Sequence, residues 1–155
     1  MKTTVNIYLT FDGQCEEAFN FYKSVFGGNF TFMGRFSEMP PQEGMPPMPE
    51  EDAKKIMHVS LPISEETILM GSDSAGQWKA DLVKGNNFSI SVNTGSIDEA
   101  KRIFNDLSKG GKVTMPLDKT FWEAYFGMLT DKFGINWQVN HELSEHKQFE
   151  ETNKN

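Results

Sequence analysis

Apolar and polar residues alternate strictly from Thr4 to Phe11. Val5, Ile7, Leu9 and Phe11 fall on one side and Thr4, Asn6, Tyr8 and Thr10 on the other. A period of two over eight residues predicts a strand with one buried face. Asp12-Gly13 marks a turn, after which the spacing lengthens to that of a helix. Cys15, Ala18, Phe19, Tyr22, Val25 and Phe26 then form one apolar stripe, and Glu16 and Glu17 occupy the first turn, where the helix dipole favours acids. Gly27-Gly28 supplies the stop. Residues 29–36 predict a second strand carrying Phe30, Phe32 and Phe36 on one face. Residues 55–63 and 66–71 predict a strand pair, and 71–76 a turn. Trp78 to Lys84 reads as an irregular or short helical connection.

The pattern then starts again. Asn87 to Val92 alternates; Ser96 and Glu99 form a capping box; Ile97, Ala100, Ile103, Phe104 and Leu107 make a helical stripe that Gly110-Gly111 ends. Residues 112–117, 123–130 and 135–140 predict three more strands, with Asp131 to Gly134 as the last turn. A shift of 82 residues lays Ala18 on Ala100, Phe21 on Ile103, Tyr22 on Phe104, Val25 on Leu107 and Gly28 on Gly110. The predicted architecture is therefore α+β, a duplicated βαβββ module, with two unrelated halves of one sandwich as the alternative. The first module spans about 1–76 and the second about 85–141.

One segment breaks the pattern. Residues 37–53 hold five of the seven prolines and no basic residue. Proline removes a backbone donor and fixes φ, so this acidic, Pro/Met-rich stretch predicts a loop, either a mobile insertion or a lid over a pocket. The tail, 142–155, is polar and predicts frayed chain or a short helix.

At 155 residues the chain has the length of one domain. No apolar run reaches the roughly 18 residues of a membrane span, which excludes a membrane partner. Residues 1–6 lack an apolar leader core, and a single cysteine, Cys15, excludes an internal disulfide framework or a Cys-based zinc cluster. Both point to the cytoplasm. The net charge is −7, and the longest basic cluster is Lys54-Lys55, so no nucleic-acid track is expected. The charge suits neutral or cationic small molecules, or solubility alone.

Each module's apolar strand faces must pack under its helix, which leaves the opposite faces for polar residues. Asn6 and Tyr8 fall there on the first strand, His58 and Ser60 on the third, Asn87, Ser89 and Ser91 on the fifth, and Asn136, Gln138 and Asn140 on the last. As a set they predict a small-molecule pocket; one by one they read as solvent-facing. Phe121 to Phe126, with Trp122 and Tyr125, is dense in aromatics and lines a pocket, a dimer surface or the core. No P-loop, dinucleotide fingerprint or nucleophile elbow is present. Cys15 sits on an apolar stripe and reads as an inert core thiol. His58 is the one candidate general base or metal ligand, with a structural role as its other reading, while His141 and His146 read as surface residues.

Tyr8-Leu9-Thr10-Phe11, Cys15-Glu16-Glu17-Ala18, Phe21-Tyr22 and Phe26-Gly27-Gly28 resemble the opening of PhnB-like proteins. The second half resembles the same proteins more specifically, in Gly110-Gly111-Lys112-Val113, Thr120-Phe121-Trp122, Gly127, and Thr130 to Gly134 followed by Trp137, and the resemblance covers about residues 1–141. This group is part of the glyoxalase/bleomycin-resistance/dioxygenase, or vicinal oxygen chelate, superfamily. The resemblance implies one glyoxalase-like domain whose paired modules form a cup-shaped sheet, commonly in a homodimer. It also implies a divalent metal in the cup, held by His, Gln or Glu on the first strand of each module and Glu or a similar donor on its last. Those positions fall at about Asn6, Met70, Asn87 and Gln138, and of these Gln138 alone matches. Met70 is a soft thioether and the two asparagines are weak neutral donors, so the metal site reads as degenerate, with no metal or other cofactor expected. The leading expectation is a binding protein for an unknown small molecule, with no reaction assigned. The alternatives are a metal-dependent lyase, isomerase or dioxygenase using Gln138 with His58 or Tyr8, and a sequestering protein for a cationic drug. A methyltransferase role finds no Gly-rich cofactor loop.

Overall fold

Each half of the chain builds a four-stranded mixed sheet with one long helix on its apolar side. The computed structural model describes residues 2–41, 43–76, 79 and 81–143, and the chain divides into two compact units, Met1–Val83 and Lys84–Asn155. The first contains β1 (Ile7–Phe11), α1 (Cys15–Phe26), β2 (Phe32–Arg35), a 3-10 turn (Phe36–Glu38), the short α2 (Glu50–Ala53), β3 (Ile56–Pro62) and β4 (Ile68–Asp73). The second contains β5 (Ile90–Asn93), α3 (Ile97–Ser108), β6 (Lys112–Lys119), β7 (Ala124–Thr130) and β8 (Asn136–Glu142). The sheet orders are β1-β4-β3-β2 and β5-β8-β7-β6, and in both the first strand runs parallel to the last while the other pairs are antiparallel. Adding four to each strand number converts one order into the other. The fold is thus α+β, two βαβββ modules of identical topology.

The apolar stripes are buried at most of their positions, though Phe26 is half-buried and Ile97, at the start of α3, is exposed. Cys15, Ala18, Phe19, Tyr22 and Val25 of α1 are buried, as are Leu9, Phe11, Val59, Leu61 and Leu69 on the sheet beneath. Phe19 meets Phe11 edge-on at 6.3 Å and lies so close over Gly71 that a Cβ there would sit 2.7 Å from its ring. In the second unit, Ala100, Ile103, Phe104 and Leu107 of α3 cover Ile90, Leu129, Trp137 and Val139. Burying each such large side chain stabilises the fold by about 1.5–3 kcal/mol.

Each unit also buries one carboxylate. Asp73, at the end of β4, is 3% exposed and accepts three backbone N–H bonds: from Gly13 at 2.8 Å, Cys15 at 3.0 Å and Ile56 at 2.9 Å. It thereby ties the β1–α1 turn to the start of β3. It also caps α1, whose own N-cap residue Gln14 makes no side-chain bond. Asp131, also 3% exposed, accepts from Phe133 N at 2.8 Å, Ile135 N at 3.0 Å and the Trp137 indole Nε1 at 2.9 Å. It holds the β7–β8 turn and anchors the largest core side chain. Among the described residues, no buried side-chain polar atom lacks a partner.

Several elements depart from the sequence pattern. Alternation continues outside β1 and β5, but pairing does not: Val5 is 95% exposed ahead of β1, and residues 87–89 precede β5. The second strand is only four residues long, and Phe36 leaves its predicted face to open the 3-10 turn, where it is buried. The Pro/Met-rich segment is not wholly loop, since it ends in α2. Ser96 accepts from Glu99 N at 3.1 Å as a cap should, but the Glu99 carboxylate turns to Arg102 instead of closing the box. His141 is half-buried in β8 and donates from Nδ1 to the Thr94 carbonyl at 2.7 Å. Trp78, His146 and residues 144–155 of the tail lie outside the described residues.

Removing a buried acceptor strands its donors. Asp131→Ala is expected to lower the unfolding free energy by about 2–4 kcal/mol. Trp137→Phe, which removes one donor and leaves the carboxylate two, should cost about 1–2 kcal/mol. Urea denaturation followed by circular dichroism measures both.

Candidate functional site

The sheet faces turned away from the helices carry the candidate residues, and register decides which of them meet. In the first unit, Tyr8 stands opposite Met70, Met70 opposite Ser60, and Ser60 opposite Phe32, one row across all four strands. His58 stands beside this row, opposite Gly34. The Tyr8 hydroxyl shares a 3.2 Å hydrogen bond with His58 Nδ1, and His58 Nε2 shares one of 3.0 Å with Ser60 Oγ. The Tyr8 and His58 rings stack at 5.7 Å, and Phe32 tilts against His58 at 5.8 Å. In a neutral imidazole one nitrogen donates and the other accepts, so the Tyr8–His58–Ser60 chain has a direction and can move a proton from one end to the other. Tyr8 and Phe32 are each 48% exposed, which leaves the row open to a ligand.

The second unit has the equivalent row Ser91, Gln138, Met128 and Met115. Asn140 donates to the Asn93 side chain at 3.0 Å, and Asn136 lies hydrogen-bonded to Thr130 Oγ1 at 2.7 Å. Trp122, in the β6–β7 turn, meets Phe121 edge-on at 4.9 Å and Phe126 at 5.9 Å. Phe126 is opposite Asn140, so Trp122 extends this face at one end.

Thus Tyr8, His58 and Met70 come together in the first unit, while Gln138 and Trp122 border the open face of the second. Four predicted residues do not take the places expected of them. Asn6 precedes β1 and uses its Oδ1 to accept from Ile68 N at 3.2 Å, a bond that finishes the edge of β4. Asn87 and Ser89 precede β5, so the cross-strand neighbour of Gln138 is Ser91. Tyr125 turns to the helix side, where the Lys101 ammonium of α3 lies 5.8 Å from its ring centre. Ser60, already on the polar face by parity, and Phe32 complete the first row, and the register of β2, β3 and β4 aligns them with Met70.

Where the resemblance implies Asn6 with Met70 and Asn87 with Gln138, register pairs Tyr8 with Met70 in the first unit and Ser91 with Gln138 in the second. The first pair is a phenol and a thioether, the second a hydroxyl and a carboxamide. A divalent ion of the oxygen-chelating kind needs anionic carboxylate or imidazole donors, and this set offers neither. Among the described residues, no group of three or more His, Cys, Asp or Glu side chains could hold a metal ion. The residues do not fit the metal that the fold family implies.

Comparison with known proteins places the chain. A family model described as 3-demethylubiquinone-9 3-methyltransferase matches residues 3–140. The chain belongs to this PhnB-like family. It is 32% identical over 138 residues to the protein YjdN of Escherichia coli K12, covering 86% of this chain and 91% of YjdN. Protein PA1353 from Pseudomonas aeruginosa is 40% identical with a TM-score of 0.78, over 91% of this chain and 98% of that one. A Bacillus cereus structure described as a putative 3-demethylubiquinone-9 3-methyltransferase, PhnB protein, is 25% identical with a TM-score of 0.68, over 90% and 99%. A glyoxalase-related enzyme from Fulvimarina pelagi shares the fold at 15% identity and a TM-score of 0.57, over 90% and 89%. The fold these structures share is the one described above. No helix among the described residues is long and apolar enough to cross a membrane.

Cys15 takes no part in either face. It is fully buried, and burial, with the charges of Asp73 and Glu16 adding to it, pushes its thiol far above the ordinary range. A protonated, enclosed thiol is a poor nucleophile. The native chain is expected to resist a thiol-reactive disulfide reagent at pH 8, and one equivalent should react once urea unfolds it; absorbance of the released thiolate reads both.

Proposed function

We propose that this PhnB-like chain binds a small organic molecule on its open sheet faces without a divalent metal. The observation that carries the reading is the pairing on each face, Tyr8 with Met70 in the first unit and Ser91 with Gln138 in the second, neither of which offers an anionic or imidazole ligand. The first face suits a ligand with a flat apolar part against Phe32 and Met70 and a polar group within reach of the Tyr8–His58–Ser60 chain. The second offers amides and hydroxyls from Gln138, Asn140 and Ser91. A cytoplasmic location belongs to the same proposal, and the lone free thiol of Cys15 supports it.

Calorimetric titration with zinc, nickel, manganese or ferrous ion alone should show no one-to-one site of sub-micromolar affinity. Such a site, abolished in Gln138→Ala, would overturn the reading in favour of a metal-dependent enzyme.

A homodimer is part of the proposal too. Supporting it, the edge strand β6 is exposed along nearly its whole length, with Val113 and Met115 uncovered, and Phe121 beyond it is 94% exposed. Sedimentation equilibrium is expected to give a dimer mass, and Phe121→Asp to weaken association about tenfold or more. A monomer for the parent chain at micromolar concentration sinks this part.

A further inference from the structure

The Pro/Met-rich segment lines a half-open cavity of its own, about 630 Å³ in volume, wholly within the first unit. Five prolines, Met39, Met45, Met48 and the Phe36 ring line it, and among the described residues Asp52 of α2 is the one charged side chain on its wall. Met48 closes one side, its methyl so near Gly76 that a Cβ there would lie 2.5 Å away. The volume is that of a site for an organic molecule and far exceeds the needs of a bare ion. Proline walls are set before binding, because φ is fixed, and methionines adapt to an irregular guest.

Charge narrows the class of guest. Asp52 is largely buried, with its side chain 16% exposed. Its Oδ1 pairs with Lys55 Nζ at 3.2 Å, and its Oδ2 accepts from Gly76 N at 3.3 Å. The Lys55 bond above all, and then the Gly76 amide and the charges of Lys55 and Lys79, hold its carboxyl below the usual carboxylate range. It therefore stays ionised, with lone pairs to spare for another donor. Residues 36–55 carry Glu38, Glu43, Glu50, Glu51 and Asp52 against Lys54 and Lys55, a formal excess of three negative charges.

We propose that this cavity is a second ligand site, separate from the open sheet faces, for an organic cation: an ammonium group held at Asp52 and an apolar or aromatic body packed among Phe36, Met39, Met45 and Met48. The inference stands apart from the reading of the sheet faces, since none of its residues lies in the rows described above.

The test uses the full chain carrying 13C-labelled methionine methyls. The probes are 4-phenylbutylammonium, its neutral counterpart 4-phenylbutan-1-ol and its anionic counterpart 4-phenylbutyrate. The ammonium should shift the Met39, Met45 and Met48 methyl signals saturably and leave Met70, Met115 and Met128 in place. The alcohol should bind about tenfold more weakly, a difference of about 1.4 kcal/mol, and the carboxylate more weakly still. Asp52→Asn should reduce the ammonium to the level of the alcohol, and alcohol binding that persists in the variant shows its cavity intact. Equal affinity of ammonium and alcohol in the parent chain overturns the proposal. So does the absence of saturable shifts, or a response confined to Met70, which would put the cation on the sheet face instead.

Discussion

Two carboxylates taken out of water, Asp73 and Asp131, hold the turns on which both sheets depend. A buried carboxylate is tolerable only when hydrogen-bond donors surround it, and each of these has three. The two units use the same device for different tasks. Asp73 draws three separate pieces of chain together and substitutes for the missing cap of α1. The second helix has its own cap in Ser96, and Asp131 is left to shape the last turn and fix the Trp137 ring. Without these knots the helix stripes would still be apolar, but the strands beneath them would lack a defined start.

This arrangement separates stability from binding. The helix-facing sides carry the aliphatic and aromatic core, closely packed to the point where Phe19 needs a glycine beneath it. The opposite sides hold Tyr8, His58 and Ser60 in one unit and Ser91, Gln138 and Asn140 in the other, and contribute little to the core. A duplicated module can thus keep one face and change the other. Met70 and Gln138 are topologically equivalent, yet one is a thioether and the other an amide. Both lie on the face that the fold does not need.

Much of the fold was legible because packing writes its period into the chain. Both helices, their stops and the shift of 82 residues follow from spacing alone. Strand limits were not, since alternation at residues 4–6 and 87–89 runs past the point where a partner strand is present to pair with. Tyr8, His58 and Met70 were legible as residues of one face by parity. The bond between Tyr8 and His58 was not, because β4 lies between their strands and only the three-strand register brings them together. Asp73 and Asp131 read as ordinary turn residues, for nothing local records that a backbone fifty or more residues away will supply donors to Asp73. The Pro/Met segment read as loop because proline excludes regular structure, but exclusion says nothing of a wall or an interior.

The sheet order itself explains where that segment could arise. In both units the second and third strands form the hairpin at the sheet's outer margin. The first unit joins them by residues 36–55, the second by residues 120–123. A connection at the rim can lengthen without displacing a neighbour, and loop-closure entropy rises only slowly with length. A longer link between the first strand and the helix, by contrast, would loosen the contacts gathered by Asp73. The margin hairpin is therefore the place where this architecture can accept new chain and acquire a new compartment, and the shorter hairpin of the second copy marks an expansion slot still unused.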